Sequence, residues 1–365
     1  MSYIVLARKY RPKSFDKLSG QKSTTSTLKS SLRSKRIHHA WIFVGNRGVG
    51  KTSLSRILAK SLNCVIGITE KPCCICNICI SIDSGDNMDC IEIDAASNRG
   101  VDEITTILEQ AKYFPNSGRF KIYIIDEAHM LTNHAFNAML KILEEPPKHV
   151  KFILSTTNSQ KIPNTVLSRC MLFNLKNLSV KEISNYLSEI LIKEKIDKDL
   201  SAITLIAKYS NGSMRDALSL TDQAINYNSD YICEKSVRVI LGIIDHIYVI
   251  NIINLLNSGK IGILLKILDK ILKYNISYLN IISEISILLS KVAIFKKISY
   301  LSNKKNDIYN YYYVNKISKE IQFNKIQLFY SILVHARSEI LLAPNEYTGF
   351  IMICLRILSF SKNVY

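Results

Sequence analysis

Gly45, Asn46, Arg47, Gly48, Val49, Gly50, Lys51 and Thr52 spell a G-x-x-x-x-G-K-[ST] loop, which works only where it leaves a strand and opens a helix. The apolar run 41–44 before it and the helix-forming residues after it meet that requirement, so this part of the chain is committed to an α/β fold. The glycines let backbone amides turn inward around phosphate oxygens. Lys51 is placed to reach the β and γ phosphates of a nucleotide, and Thr52 to ligate magnesium. A purely structural glycine turn is the competing reading, and it weakens once the next motif is read. Residues 122–127 run Ile-Tyr-Ile-Ile-Asp-Glu, an apolar strand ending in two carboxylates. Asp126 suits a magnesium shell, while Glu127 can orient or deprotonate an attacking water; the alternative is that both merely cap a helix.

Short apolar runs alternate with amphipathic stretches from residue 40 to 175, which predicts a parallel sheet flanked by helices. The strand candidates are 41–44, 90–94, 121–126, 151–155 and 171–175. Phe136, Met139, Leu140 and Leu143 recur at helical spacing, and that helix must stop before Pro146 and Pro147. Ser155, Thr156 and Thr157 close the fourth run, where a hydroxyl near Glu127 could sense a terminal phosphate, although such residues are common at strand ends. Arg169 follows a short helical segment, and on its own it reads as a surface charge. Beyond residue 177 the strand signal fades. Three domains are expected: 1–178 for nucleotide binding, an all-α lid over 179–242, and an all-α domain over 243–365.

Four cysteines interrupt the nucleotide-binding part. Cys64, Cys73, Cys76 and Cys79 are spaced closely enough to share one tetrahedral ion, in a module spanning about 64–79. Cys74 adjoins Cys73 and competes with it; Cys73, in phase with Cys76 and Cys79, is the expected ligand. The other reading is a cluster of reduced, buried thiols. Four protein ligands leave no open position, so a bound zinc would be structural. On this reading the module is a rigid knob, a contact surface for a partner, and removing the metal unfolds the knob before it touches nucleotide chemistry.

Length and composition set the remaining bounds. The 365 residues suggest two or three domains. No uninterrupted apolar run approaches eighteen residues, and the richest segment, 278–295, carries Glu284 and Lys291, so no membrane span is expected. The N-terminus lacks an apolar core and a small-residue cleavage site, which argues against a secretory signal and for a reducing cytoplasm. A formal charge of +18 leaves two readings open, diffuse solvated lysines or a face for DNA.

Taken together, residues 7–21 (ARKYRPKSFDKLSGQ), HHAWIFVGNRGVGKTS, the cysteine insertion, IEIDAASNRGVDE, DEAHML, LKILEEPP, SRC and GSMRDALSLTDQAI resemble the gamma/tau family of bacterial DNA polymerase III clamp-loader subunits. The match is dense to about residue 243 and looser beyond, returning in RSEILLAPNEYTGF. What the resemblance implies is an AAA+ ATPase module with a lid and an oligomerising collar, using ATP and Mg2+ and carrying a Zn2+ module. It implies partners as well: other loader subunits in a hetero-oligomeric ring, the sliding clamp and primer-template DNA. It assigns Ala7, Tyr10, Arg11 and Pro12 to the adenine pocket, Thr157 to sensor 1, Arg169 to a finger acting on a neighbouring subunit's ATP, and Arg215 to sensor 2. Tyr10 also offers a flat face for a base, or for ordinary packing. The family's enzyme class is DNA-directed DNA polymerase, although this chain is not expected to polymerise. Two departures stand out: Cys74, where the family has a small residue, and alanine for valine in DEAHML. The end at Tyr365 resembles the short gamma form. The rival readings are a non-hydrolysing scaffold of the same complex, opposed by the intact P-loop and carboxylates, and another AAA+ motor such as a branch-migration helicase subunit, opposed by the cysteine insertion.

Overall fold

The computed structural model describes residues 4–97, 101–228, 231–242, 246–272, 277–297 and 308–362. Asn98, Arg99 and Gly100 of the IEIDAASNRGVDE motif lie outside them, as do residues 243–245 at the expected joint between lid and final domain. The chain divides into two compact units, Met1–Glu234 and Lys235–Tyr365.

The first unit is built on five strands, β1 (Ala40–Val44), β2 (Cys90–Asp94), β3 (Lys121–Asp126), β4 (Val150–Thr156) and β5 (Met171–Asn174), in the spatial order β2-β3-β4-β1-β5. Every neighbouring pair is parallel. Parallel strands of a sheet covered on both faces become near-continuous apolar runs, which is why the strands could be read at all. All seven residues of β4 are buried. Two apolar layers cover the two faces. One includes Tyr123, Phe136, Met139 and Phe152, the other Trp41, Phe43, Leu54, Leu58 and Phe173. Register places Val44 opposite Thr156 and Asp94 opposite Asp126, so the carboxyl ends of the central strands finish along one edge, where ligands of open α/β sheets bind.

The loop after β1 opens the helix Lys51–Asn63, and the helix Asn133–Glu144 ends two residues before Pro146. Thr132 caps the latter, its hydroxyl accepting from the Ala135 amide at 3.2 Å. After β5 the chain turns helical, with Val180–Glu194, Leu200–Tyr209 and Met214–Asn228. Ser179 and Glu182 form a reciprocal capping box at the first of these. A parallel pair of two-residue strands, β6 (Asp197–Lys198) and β7 (Tyr231–Ile232), lies among these helices and was not foreseen. Strands that short leave no apolar alternation to read.

The second unit is helical among its described residues. Its core collects Ile253, Leu268, Ile281, Ile285, Leu289, Ile317, Phe329, Phe350 and Ile357 from several helices. The helix Tyr278–Lys297 is long and apolar enough to cross a membrane by length and composition, yet eight of its residues, Ile281 and Leu289 among them, are buried inside this unit.

Candidate nucleotide and metal sites

The phosphate loop rests against the chain on three sides, which is why its glycines are needed. Gly48 has φ +76°, and a side chain there would collide with the Ser213 hydroxyl and meet Arg215 Cβ at 3.2 Å. The Met214 amide donates to the Gly48 carbonyl at 3.1 Å, so the segment 213–215 lies directly on the loop. Gly50, at φ +104°, begins the helix carrying Lys51 and Thr52.

Lys51 is 5% exposed, and its Nζ donates to the carbonyls of Gly45 (2.8 Å) and Asn46 (3.1 Å). Burial lowers its pKa, while the nearby Glu127 and Asp126 charges work the other way. The Thr52 hydroxyl donates to Asp126 Oδ2 at 2.7 Å, and Asp126 Oδ1 accepts from the Glu127 amide at 3.0 Å. Glu127 occupies the left-handed region at φ 47°, rare for a residue with a side chain. Its Oε2 lies 3.4 Å from both the Thr157 hydroxyl and His129 Nδ1, and His129 Nδ1 is 3.2 Å from the Thr156 hydroxyl. Strained backbone at a strand end, held by neighbouring hydroxyls and an imidazole, is a pattern found where a carboxylate must be aimed. His129 was missed in the sequence, although its place two residues after Glu127 could have suggested it.

These groups border a cavity of about 1260 Å³ that also takes in Ala7, Tyr10, Arg11, Pro12 and Arg215. Arg47, Gly48, Val49, Gly50, Lys51 and Thr52 line it, whereas Gly45 and Asn46 do not; the Asn46 side-chain amide donates to Asn177 Oδ1 at 3.0 Å. The Tyr10 hydroxyl bonds Glu194, and the Tyr186 hydroxyl donates to the Tyr10 carbonyl at 3.3 Å. Desolvation and the Glu194 carboxylate push the Tyr10 pKa up to about 12. The Leu6 amide donates to Asp222 Oδ2 at 2.8 Å, so the N-terminal segment is tied to the helices that follow the sheet. Desolvation, then the positive charges of Arg56 and Arg215, lower the Arg11 pKa; Glu92 and Asp83 oppose them. Thr157 reaches the cavity only through Glu127. Arg169 lies away from it, donating to Glu144 Oε1 (2.7 Å) and the Thr165 carbonyl (2.7 Å).

The thiols of Cys64, Cys73, Cys76 and Cys79 come together with all four sulfurs within 4.8 Å of one another. Cys64 and Cys73 are 3.5 Å apart, Cys73 and Cys79 4.0 Å. A tetrahedral zinc with Zn–S of about 2.3 Å needs sulfurs about 3.8 Å apart, so the donor set fits that ion. Cys74 takes φ +59° and turns its thiol to the Lys13 carbonyl at 3.3 Å, away from the cluster. Backbone amides of Ile75 and Cys76 hold the Cys73 thiol down at about 6. Cys76 caps the helix Asn77–Ser84, accepting from the Cys79 amide at 3.4 Å. Arg119 clamps the other side, its guanidinium donating to the carbonyls of Cys64 (2.6 Å), Val65 (3.1 Å) and Leu62 (3.3 Å).

The helix Asn77–Ser84, which Cys76 caps, carries the chain from the cysteine module to the cavity. Ile80, Asp83 and Ser84 line the nucleotide cavity itself. The cause is local: the Asn77–Ser84 helix packs beside the Lys51–Asn63 helix, whose C-cap is Cys64.

Three family models match in succession: DNA polymerase III, delta subunit, over 20–179; DNA polymerase III clamp loader subunit, ATPase lid domain, over 182–230; and DNA polymerase III subunits gamma and tau domain III, over 232–364. The DNA polymerase III subunit tau/gamma of Haemophilus influenzae is 41% identical over 99% of this chain and 52% of its own length. The DNA polymerase III subunit tau of Escherichia coli is 41% identical, with 99% and 56% covered. The DNA polymerase III subunit gamma of Buchnera aphidicola subsp. Baizongia pistaciae is 40% identical, with 100% of both chains covered. The chain thus spans about half the length of the tau-type relatives and the whole of that gamma. Among solved structures, the Thermotoga maritima RuvB Holliday junction branch migration motor gives a TM-score of 0.48 at 20% identity, over 69% of this chain and 80% of its own. A likeness that distant adds nothing to a functional assignment.

Proposed function

The chain belongs to the gamma/tau family of DNA polymerase III subunits, and from that premise we propose that it is an ATP-dependent motor subunit of a clamp loader, placing a sliding clamp on primed DNA during replication. The observation that carries this reading is the convergence of Lys51, Thr52, Asp126 and Glu127 at the carboxyl edge of β1 and β3, under the segment that carries Arg215.

Magnesium-bound ATP, when present, supplies the phosphoryl group to be transferred. The chain does the rest. Lys51 exchanges its two loop carbonyls for phosphate oxygens, and the Thr52–Asp126 pair offers oxygen ligands to the cation. Glu127 orients the attacking water and draws on its proton, with Thr157 and His129 holding its carboxylate. Ala7, Tyr10, Arg11 and Pro12 form the base side of the pocket. Arg215, on the helix resting against Gly48, senses the terminal phosphate, and Arg169 serves the nucleotide of a neighbouring subunit. Cys64, Cys73, Cys76 and Cys79 hold a structural Zn2+. The three-part division at 178 and 242, a ring of loader subunits in the cytoplasm, and contacts with clamp and primer-template DNA belong to the same proposal. Its physical content is differential affinity: ATP must favour the conformation that grips clamp and DNA.

The test is clamp loading onto primed DNA by this chain combined with its candidate partner subunits. Lys51→Ala should abolish loading. Arg169→Ala should leave nucleotide binding unchanged and cut hydrolysis in the assembly by about a thousandfold. An assembly that never loads the clamp refutes the function, and full turnover with Arg169→Ala refutes the assignment in trans.

A further inference from the structure

We propose that Asp83 is a positioning residue that couples the four-cysteine module to the nucleotide pocket, so that metal and nucleotide bind cooperatively. The inference rests on the zinc reading of the cluster and goes beyond it, since a purely structural zinc need not influence nucleotide affinity.

Two physical links join the sites. The first is the helix Lys51–Asn63 itself. It starts at the phosphate loop and ends on Cys64, so a rod about 20 Å long has a phosphate ligand at one end and a metal ligand at the other. The second link runs through Asp83. Cys79 and Asp83 stand four residues apart on the helix Asn77–Ser84, on one face and one turn apart. From there the carboxylate reaches Lys60 Nζ at 2.7 Å, and the Asp83 carbonyl accepts from Arg56 Nη1 at 2.9 Å. Both partners belong to the phosphate-loop helix.

Each partner passes the contact on. The Lys60 side chain is wholly buried, and its ammonium also donates to the Lys13 carbonyl at 3.0 Å, next to the pocket residues Arg11 and Pro12. Arg56 lines the cavity and donates through Nε to Glu92 Oε2 at 2.8 Å, which fixes it against the middle of β2. A wholly buried ammonium follows its carboxylate, because no solvent is there to replace it. If Asp83 shifts when the metal leaves Cys79, Lys60, the 11–13 segment and Arg56 lose their positions together. The Cys74 thiol on the same Lys13 carbonyl, 3.3 Å away, adds a third contact from the module to that segment.

Cooperative binding is reciprocal: whatever factor zinc contributes to nucleotide affinity, nucleotide must contribute to zinc affinity. The experiment uses the full chain, metal analysis for zinc content, and equilibrium competition for zinc with a chromogenic chelator, with and without a non-hydrolysable ATP analogue and magnesium. One zinc per chain is expected, with nucleotide strengthening zinc retention at least about fivefold and Lys51→Ala removing that protection. Asp83→Asn should still hold one zinc, with the protection factor falling to near one at an analogue concentration that saturates the variant. A merely structural role for Asp83 would lower the melting temperature and leave that factor intact. Should Asp83→Asn fail to fold, Arg56→Met, which breaks the link to the Asp83 carbonyl, should reduce the factor in the same way. A chain without zinc refutes the metal reading. Zinc retention indifferent to nucleotide in the unaltered chain, or full protection in a folded variant, overturns the coupling.

Discussion

At the residue scale, Asp89 shows how a single buried carboxylate can organise a loop. It is 2% exposed and accepts from the amides of Asn116, Ser117 and Gly118, each at 2.7 Å, and from the Ser117 hydroxyl at 3.1 Å. Burial alone would raise its pKa, but the four donors outweigh burial and hold it below the ordinary value. The loop it gathers leads straight into Arg119, which clamps Cys64, and into Phe120, which exchanges two hydrogen bonds with Asn63 at the end of the phosphate-loop helix. Asp89→Asn should therefore cost about 2 kcal/mol at neutral pH, the range for hydrogen bonds to a charged group. The sign of the pH dependence follows from the depressed pKa. The contribution is complete above the unfolded-state value of about 3.9 and is lost as pH falls through the lower folded value. Urea denaturation of both proteins should show a gap that is constant above about pH 5 and closes below about pH 4; a gap that persists into acid would mean that packing, not charge, sets the cost.

At the scale of elements, the phosphate loop separates two costs that usually arrive together. Gly48→Ala forces a side chain into a left-handed backbone, worth about 1 kcal/mol, and drives a methyl group into the Ser213 hydroxyl. Pairing it with Ser213→Gly removes the collision and keeps the strain. Nucleotide titration should show the single variant weakened more than tenfold and the double variant recovering most of that loss, leaving the roughly fivefold that about 1 kcal/mol represents; no recovery would mean that the 213–215 segment moves off the loop when nucleotide binds.

The same elements show what was legible in the sequence. β2 and β3 fall where their apolar runs end, β1 extends by one residue and β4 by one at each end, because a strand buried on both faces leaves a continuous apolar signature bounded by turns. Cys73 over Cys74 was legible as well, since one of two adjacent residues must face away. Contacts distant in sequence were not. Nothing in the local pattern says that Asp83 meets Lys60, that Tyr10 bonds Glu194, or that Arg169 is held by Glu144. One hint was available: the helix 51–63 is buried on nearly every side from Ile57 onward, and a lysine at position 60 needs a partner there.

At the scale of the whole molecule, the apolar cores are disjoint. Both layers of the first unit draw on residues between Phe15 and Leu175, and the core of the second on residues between Val249 and Ile357. Separate cores can melt separately, and a ligand stabilises only the part that it binds. The phosphate loop and its carboxylates all belong to the first unit. Calorimetry of the full chain should therefore resolve two transitions. ATP with magnesium at about a hundredfold excess over its dissociation constant adds about 2.7 kcal/mol to the nucleotide-binding unit, so the midpoint of one transition should rise by several degrees while the other stays fixed. Limited proteolysis in the same buffer identifies them, because the fragment protected by nucleotide should contain the 45–52 loop and not the 323–339 helix. A single transition that moves as a whole would show that the second unit draws its stability from the first despite its separate core, and the chain would then have to be treated as one cooperative body whose helical C-terminal part responds to nucleotide directly.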